Sequence, residues 1–485
     1  LLTGWSNKNL GNVINSGNTE LSIFLSAKGD KAYVAKERDI WEIDNTVKQD
    51  PVALIKGKVY DNKTKKILYT SIFYNDLKSN KGLGKAISDP TTGSYSIVLP
   101  FGQRYSFMAE KEGYYAVTEN VDLSNLNGVI EYLPEELYIK VLAGTPIKTI
   151  EDLLEKHNQQ LAFEPLDFGY INDGKSNKGS AAGSVATNFA GSRRFKVGSV
   201  RDFVLGFRGV NGKGDIIKSG GTVVKNVTGY DLSKVVSGSF GTLVALTEVT
   251  LKVSPKKIFQ NTIVIYLDDL KIISSLFDKI LGSSNEISGA TYIPDEPKSK
   301  KFDLNKSRVF KFNDLNKDGP FLAIRLEGDR VSVQERLKDI SKELELKKYK
   351  TSILDNHQSV PFWIKVNNLE LFTNTKNNLV RAVIPPSNSE KLMKFLGNKF
   401  KYFIDWSGSL FWIEVLDNED DKIGQIREFI SKNEGYMTIV MKSENFDFKE
   451  KIFSTDKAKL MISKKIKESF DPKSLFNPGK MYREI

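Results

Sequence analysis

"KNVTGYDLSKVVSGSFGTLVALTEVTLKV", residues 225 to 253, decides how this chain is read. Gly229, Gly238 and Gly241 punctuate a polar turn and a short apolar run, and the stretch ends in "LVALTEVTLKV", whose alternation is that of a strand. The Gly238-Ser-Phe-Gly241-Thr242 portion reads as a helix or turn closed by glycine and entering a buried strand. No histidine, cysteine or acid pair suited to hydrolysis is present in it. Glycines so placed serve either tight packing or the close approach of backbone to a large ligand. The pattern is not a Rossmann fingerprint, because no Gly-x-Gly-x-x-Gly follows a strand here.

Just upstream, "GSAAGSVATNFAG" at 179 to 191 is made almost wholly of small residues. It reads as a loop in which Gly183, Ala186 and Gly191, with Gly198 beyond it, let free backbone N–H groups approach an anionic ligand. A Gly-Ser-Val-Arg-Asp turn at 198 to 202 follows, then the strand "FVLGFRGV" and an Asn211-Gly212 hairpin. Arg193 and Arg194 are either a charge for phosphate or carboxylate or a solvated pair. Lys225, Asn226 and Gly229-Tyr230-Asp231 read as a packed turn. Earlier still, "EELYIKVLAG" is a strand and "TPIKTIEDLLEKHNQQL" a helix, with Thr145 as N-cap and Pro146 at the first helical position.

The whole chain sets bounds on these readings. At 485 residues it exceeds one ordinary core, and its 40% hydrophobic and 27% charged content is that of a globular protein. No apolar run is long enough to cross a bilayer, and no signal peptide is visible. The absence of cysteine excludes disulfides and thiolate sites. His157 and His357 lack ligand spacing and read as surface or packing residues. The net charge of +11 is spread through every segment with acids interleaved, which describes solvated surface rather than a nucleic-acid reader.

The two ends differ in character. Residues 1 to 50 contain two or three short antiparallel strands, and residues 51 to 125 have the turn rhythm of a seven-strand sandwich, with Asp61-Asn62, Asp-Pro and Thr-Gly turns. Residues 261 to 485 read as α+β. "VFKFNDLNKDGPFLAIRLEG", "LVRAVIPPS" and "LFWIEVLD" supply strands, and "SVQERLKDISKELEL" and "SNSEKLMKFLGNKF" supply helices, so an antiparallel sheet with helices on one face is expected.

Several separated motifs keep their order: residues 198 to 253, "RAVIPPS" at 381, "DWSGSLFW" at 405 and "FDPKSLFNPGKMY" at 470. With them the chain from 126 to 485 resembles the FAD-binding subunit of the glycolate oxidase complex, among flavoproteins of the vanillyl-alcohol-oxidase (PCMH-type) FAD fold. The resemblance implies an FAD-binding domain at 126–260, truncated at its start, and an α+β cap at 261–485. FAD would lie between two α+β subdomains. Gly183, Ala186, Asn188 and Gly191 would line the isoalloxazine and pyrophosphate region, Ser199, Val200 and Asp202 would continue the cradle, and Gly241 and Thr242 would sit near the adenosine half. Glu248 is either structural or near the cofactor, and the terminal tail would fold back toward the cofactor domain. The implied activity is oxidation of a small 2-hydroxy acid, glycolate to glyoxylate. It implies partners, a second flavoprotein subunit and an iron–sulfur subunit, and places the complex in the cytoplasm or at the inner membrane face. No residue stands out as the substrate base, and no metal site is implied.

Residues 1–50 resemble a propeller-repeat fragment (Asn15, Glu20 and Asp39 carry the match), and 51–125 a transthyretin-type, carboxypeptidase-regulatory-like β-sandwich of outer-membrane-associated proteins. That half points instead to the cell envelope, so a non-catalytic envelope protein is the rival reading, and a stand-alone FAD reductase on the same fold is a third. The family's first glycine-rich pyrophosphate loop is not found in residues 1 to 125, so weak FAD retention is expected.

Overall fold

Runs of alternating apolar residues become strands throughout, and their pairing divides the chain into two units, Leu1–Glu119 and Asn120–Ile485. The computed structural model describes residues 20–25, 31–36, 39–44, 52–61, 64–76, 81–100, 105–110, 125–221, 230–295, 319–417, 419–443, 446 and 452–482. Asn15, Asn62 and the Lys225, Asn226 and Gly229 part of the opening stretch lie outside the described residues.

In the first unit, β1 (Glu20–Leu25), β2 (Lys31–Lys36) and β3 (Asp39–Asp44) form an antiparallel meander. β4 (Val52–Lys58) pairs with β7 (Ser94–Pro100), while β5 (Ser71–Asp76) lies between β6 (Lys81–Ile87) and β8 (Tyr105–Glu110). Ile72, Ile97 and Leu99 form the small core between them. The turn before β7 follows its sequence: the Asp89 carboxylate accepts from the N–H groups of Thr91 (2.9 Å) and Thr92 (2.7 Å), and Gly93 takes φ +68°. Where seven strands were expected between 51 and 125, the described residues hold five.

The second unit is built on two antiparallel sheets. The first has the order β13-β12-β14-β10-β9, with β9 (Val129–Leu133), β10 (Tyr138–Leu142), β12 (Val204–Asn211), β13 (Ile216–Gly220) and β14 (Val244–Lys252). A two-residue pair, β11 (Gln159–Gln160) with β15 (Ser254–Pro255), stands beside it. The expected hairpin forms at Asn211, whose side-chain oxygen accepts from the N–H groups of Lys213 and Asp215 (2.9 Å each). Against this sheet pack α1 (Ile147–Glu155), α3 (Ala181–Thr187), α5 (Val200–Phe203) and α6 (Ser233–Val236), burying Ile147, Ile150, Leu154, Val185 and Val200. Two short helices, α2 (Gly169–Asp173) and α4 (Arg194–Val197), lead toward the second sheet, whose clusters take in Ile171 and Phe195.

Three local expectations are corrected. α1 begins one residue later than expected: Pro146 is its N-cap, and the Thr145 hydroxyl donates to Leu142 O (2.7 Å) instead of capping. The small-residue run is not a loop but α3. Ser180 caps it by accepting from Gly183 N, its alanines favour helix, and Asn188 ends it in the left-handed region. The turn at 198 to 202 is a capping box in which the Ser199 and Asp202 side chains satisfy each other's backbone N–H, starting α5.

The second sheet has the order β19-β16-β18-β17-β21-β22-β20-β23. Its strands are β16 (Phe259–Tyr266), β17 (Gly289–Ile293), β18 (Phe321–Gly328), β19 (Lys350–Leu354), β20 (Asn378–Val383), β21 (Lys401–Asp405), β22 (Leu410–Val415) and β23 (Tyr436–Met441). The twofold period sorts its side chains. Ile263, Leu322, Ile324, Val380, Ala382, Ile404, Phe411 and Ile413 face a core with α7 (Leu270–Gly282), α8 (Arg330–Glu343), α10 (Ser389–Leu396) and α11 (Asp420–Lys432). The intervening positions, among them Arg325, Glu327, Arg381 and Asp405, belong to the opposite face, together with Trp363 of α9 (Asn356–Asn367) and Phe189 from the end of α3. The α+β expectation is met, but helices occupy both faces. After the second sheet comes α12 (Lys457–Phe470), whose end meets the hairpin between β12 and β13, where Gly212 N donates to Phe470 O (2.9 Å), and a tail follows it.

Candidate functional site

The opening stretch folds into a tight loop between α6 and β14, with Gly238, Phe240 and Gly241 at φ +82°, +53° and +67°. Gly238 N donates to Val185 O (3.0 Å) and Phe240 N to Ala186 O (2.8 Å), which fastens the loop to the end of α3. A Cβ at Gly238 would stand 3.4 Å from the Asn188 Cβ, so the approach of these segments is close. The Asn188 side-chain oxygen accepts from Arg201 N (2.8 Å), adding α5 to the same junction. From the other side, Lys467 Nζ donates to Thr242 O (2.7 Å), and Asn477 Nδ2 donates to Phe240 O (3.0 Å).

The expected site residues are thus partly gathered. Ala186, Asn188, Gly241 and Thr242 surround one loop, and Ser199, Val200 and Asp202 form the capped start of α5 beside it. Gly183 lies on the exposed turn of α3. Gly191 is buried toward the second sheet, where a Cβ would come within 2.5 Å of the Asn367 side chain. Glu248 stands apart in β14, paired with Lys140 (3.0 Å) and Arg208 (3.5 Å). Free N–H groups, expected along the small-residue run, are not what it presents. Gly183 N is bound to Ser180 Oγ (3.2 Å), Asn188 N to Ser184 O (2.9 Å) and Gly191 N to Phe163 O and Glu164 O (3.0 Å each). What the loop does present is the Ser239 hydroxyl, buried and without a partner, in the centre of the glycine turn. At Gly179 and Gly221 an added Cβ would meet nothing within 4 Å. The buried, orphaned Ser239 hydroxyl within a turn of positive-φ glycines fits a large polar cofactor such as FAD.

The charged side chains on the inner face of the second sheet had no counterpart in the sequence reading. Glu164, from the first sheet's side, accepts from Arg325 Nη1 (2.8 Å) and from Arg193 N (2.7 Å). Arg193 Nε donates in turn to Glu327 Oε2 (2.9 Å). Burial alone would raise the pKa of Glu164, but Arg193 and Arg325 outweigh it and hold the carboxyl below its ordinary range; at Glu327 the same arginines do likewise. Arg193 is therefore neither a solvated charge nor a free one. Next to it, Ser192 Oγ donates to Asp405 Oδ2 (2.7 Å), and burial pushes the Asp405 carboxyl up to about 7.

Trp406 follows Asp405 at φ +50°, and its indole N–H donates to Gly191 O (2.9 Å). The Arg194 guanidinium lies 4.4 Å from the centroid of its ring, and that of Arg381 4.9 Å from it and 5.1 Å from Phe189. Phe189 in turn meets Phe240 of the glycine loop at 5.8 Å. The opening stretch and the charged sheet face thus share one seam. A clue was present in the sequence: arginine, glutamate and aspartate at strand positions otherwise filled by apolar residues, within motifs already singled out. Both histidines are exposed, His157 edge-on to Tyr132, and the described residues contain no group of His, Asp and Glu able to hold a metal.

Comparison with known proteins points to flavoproteins. Residues 96–220 match a family described as an FAD binding domain. Glycolate oxidase subunit GlcE of Escherichia coli (strain K12) is 29% identical over 405 residues, 83% of this chain and 96% of that protein. A D-lactate dehydrogenase of Anaerostipes hadrus is 35% identical over 135 residues, 28% of this chain and 26% of that protein. Among solved structures, p-cresol methylhydroxylase with substrate bound has a TM-score of 0.54 at 15% identity, covering 76% of this chain and 82% of that one, a likeness of fold. The domain match begins at 96, ahead of the expected boundary at 126, and the GlcE match covers more of the chain than 126–485 contains. Similarity to flavoproteins therefore reaches into the segment read as foreign to them. The chain is an FAD-linked oxidoreductase subunit.

Proposed function

We propose that this chain is a glycolate-oxidase-type subunit that acts with partner subunits on a small 2-hydroxy acid, glycolate being the first to test. The similarity to GlcE along almost the whole of that protein carries the reading. When bound, FAD supplies the two-electron acceptor for oxidation of the hydroxy acid to the oxo acid. The chain's own residues bind and orient. The Gly238–Thr242 loop, Ala186, Asn188 and the orphan Ser239 hydroxyl hold the cofactor at the seam, with Gly183, Gly191, Ser199, Val200 and Asp202 shaping the helices around it. Glu248 serves the sheet. The aromatic rings of Phe189, Phe240 and Trp406 exclude water from the seam.

The partners are a second flavoprotein subunit and an iron–sulfur subunit, and the complex works in the cytoplasm. No helix among the described residues is long and apolar enough to cross a membrane. The first unit is proposed as an accessory β module of sandwich type. The purified chain should be yellow with flavin absorbance, and glycolate should drive reduction of a dye when the partner subunits are added. A colourless protein that takes up no FAD would refute the reading.

A further inference from the structure

Among the described residues of the second unit, the buried arginines and lysine of the seam mostly have carboxylate partners. Arg193 and Arg325 have Glu164 and Glu327, and Lys467 has Asp471. Among the described residues Arg381, only 6% exposed in the middle of β20, has no carboxylate partner, and neither has Arg194, whose guanidinium approaches the same Trp406 ring. The Tyr436 hydroxyl stands beside Arg381, and Arg194 is near enough to oppose its charge. Two cations brought together without a counter-ion, in a place lined by Phe189 and Trp406, are arranged for an anion that arrives from outside.

We propose that Arg381 and Arg194 bind the carboxylate of the small 2-hydroxy acid, which rests on the functional reading above and names the group that this chain recognises. Each guanidinium lies against an aromatic ring, Arg381 also bonds the Tyr436 hydroxyl, and the in-plane N–H groups of a guanidinium are the part that grips a two-oxygen ligand. The rings restrict the ligand to a small one. Phosphate of the cofactor is the other anion to consider, but the orphaned Ser239 hydroxyl belongs to the loop ahead of β14 in the first sheet, whereas Arg381 belongs to the second sheet.

The test uses the full chain saturated with FAD and titrated calorimetrically with oxalate, with the neutral glycolamide and with inorganic phosphate. Arg381→Gln, Arg194→Gln and, as a control on the exposed face of α12, Lys464→Gln are compared. Oxalate is expected to bind the unaltered chain and Lys464→Gln alike, and about ten- to a hundredfold more weakly to either arginine variant. Glycolamide should give no heat, and flavin content should be the same in all. Arg194 is half-buried, so Arg194→Gln carries the test should Arg381→Gln fail to fold. Unchanged oxalate affinity in the arginine variants would overturn the proposal, as would phosphate binding as tightly as oxalate, or loss of FAD with oxalate binding intact. A chain that takes up no FAD yet binds oxalate through these arginines would sink the flavin reading and leave the carboxylate site standing.

Discussion

Gly241 takes a φ of +67° that side chains rarely adopt, and a Cβ there would stand 2.9 Å from the Asn477 amide that holds the tail. Gly241→Val is expected to cost about 1–3 kcal/mol and to lower FAD occupancy with the second unit still folded, read as a melting midpoint and as flavin absorbance per chain. An unchanged FAD affinity would make this glycine a packing residue only. Asp405 gives a pH signature. Burial pushes its carboxyl up to about 7, so between about pH 4 and 7 the folded chain keeps a proton that the unfolded chain has released. Stability from this group is therefore greatest at low pH and falls as pH rises through that window. Asp405→Asn cannot ionise and still accepts from Ser192. It should melt higher than the unaltered chain at about pH 8, with the gap closing toward about pH 4. A gap independent of pH would refute the assignment. Glycines were readable at this scale because their turns are local. Asp405 was not, because its burial depends on Ser192, more than two hundred positions away.

At the scale of elements, α12 is fixed through one side chain. Lys467 is buried and donates to Thr242 O, Asp471 Oδ2 and Phe476 O at 2.6–2.8 Å, so it connects the helix, the returning tail and the glycine loop. Lys467→Met leaves the Asp471 carboxylate buried without its cation and is expected to cost about 3–5 kcal/mol. Limited proteolysis should then cut within 471–482, where the unaltered chain resists. The tail's return was legible, since Pro472, Pro478 and Gly479 end a helix and reverse the chain, and Gly479 takes φ +69°. The strands at 204–211 and 244–252 were legible from their alternation. α3 was not: a run of Gly, Ser and Ala suggests a loop, and a serine cap three residues before a glycine is a quiet signal.

For the whole molecule, the informative fact is that the match to an FAD binding domain starts at residue 96, while the chain divides after Glu119. The piece 120–485 has its own cores and should unfold cooperatively when expressed alone. If residues before 120 contribute to the cofactor grip, that piece will lose FAD on gel filtration sooner than the full chain does. Equal retention would show that the second unit alone holds it. Order along the chain carried the reading of the second unit, because period-two strands and turn residues leave local marks. The ion network at the seam leaves none, since Glu164 meets Arg325 across 161 positions and only the folded sheets bring them together.

Three of the five tryptophans, Trp363, Trp406 and Trp412, belong to the one buried cluster on the inner face of the second sheet. Near-ultraviolet emission from the second unit therefore originates almost at the place where chemistry is proposed, and Trp406 contributes it with two guanidiniums 4.4 Å and 4.9 Å from its ring. The protein carries its own optical gauge. Flavin absorbs where indole emits, so FAD uptake should quench this light by energy transfer. An acid settling on the arginines should alter the Trp406 share of it, a response absent from Trp406→Phe.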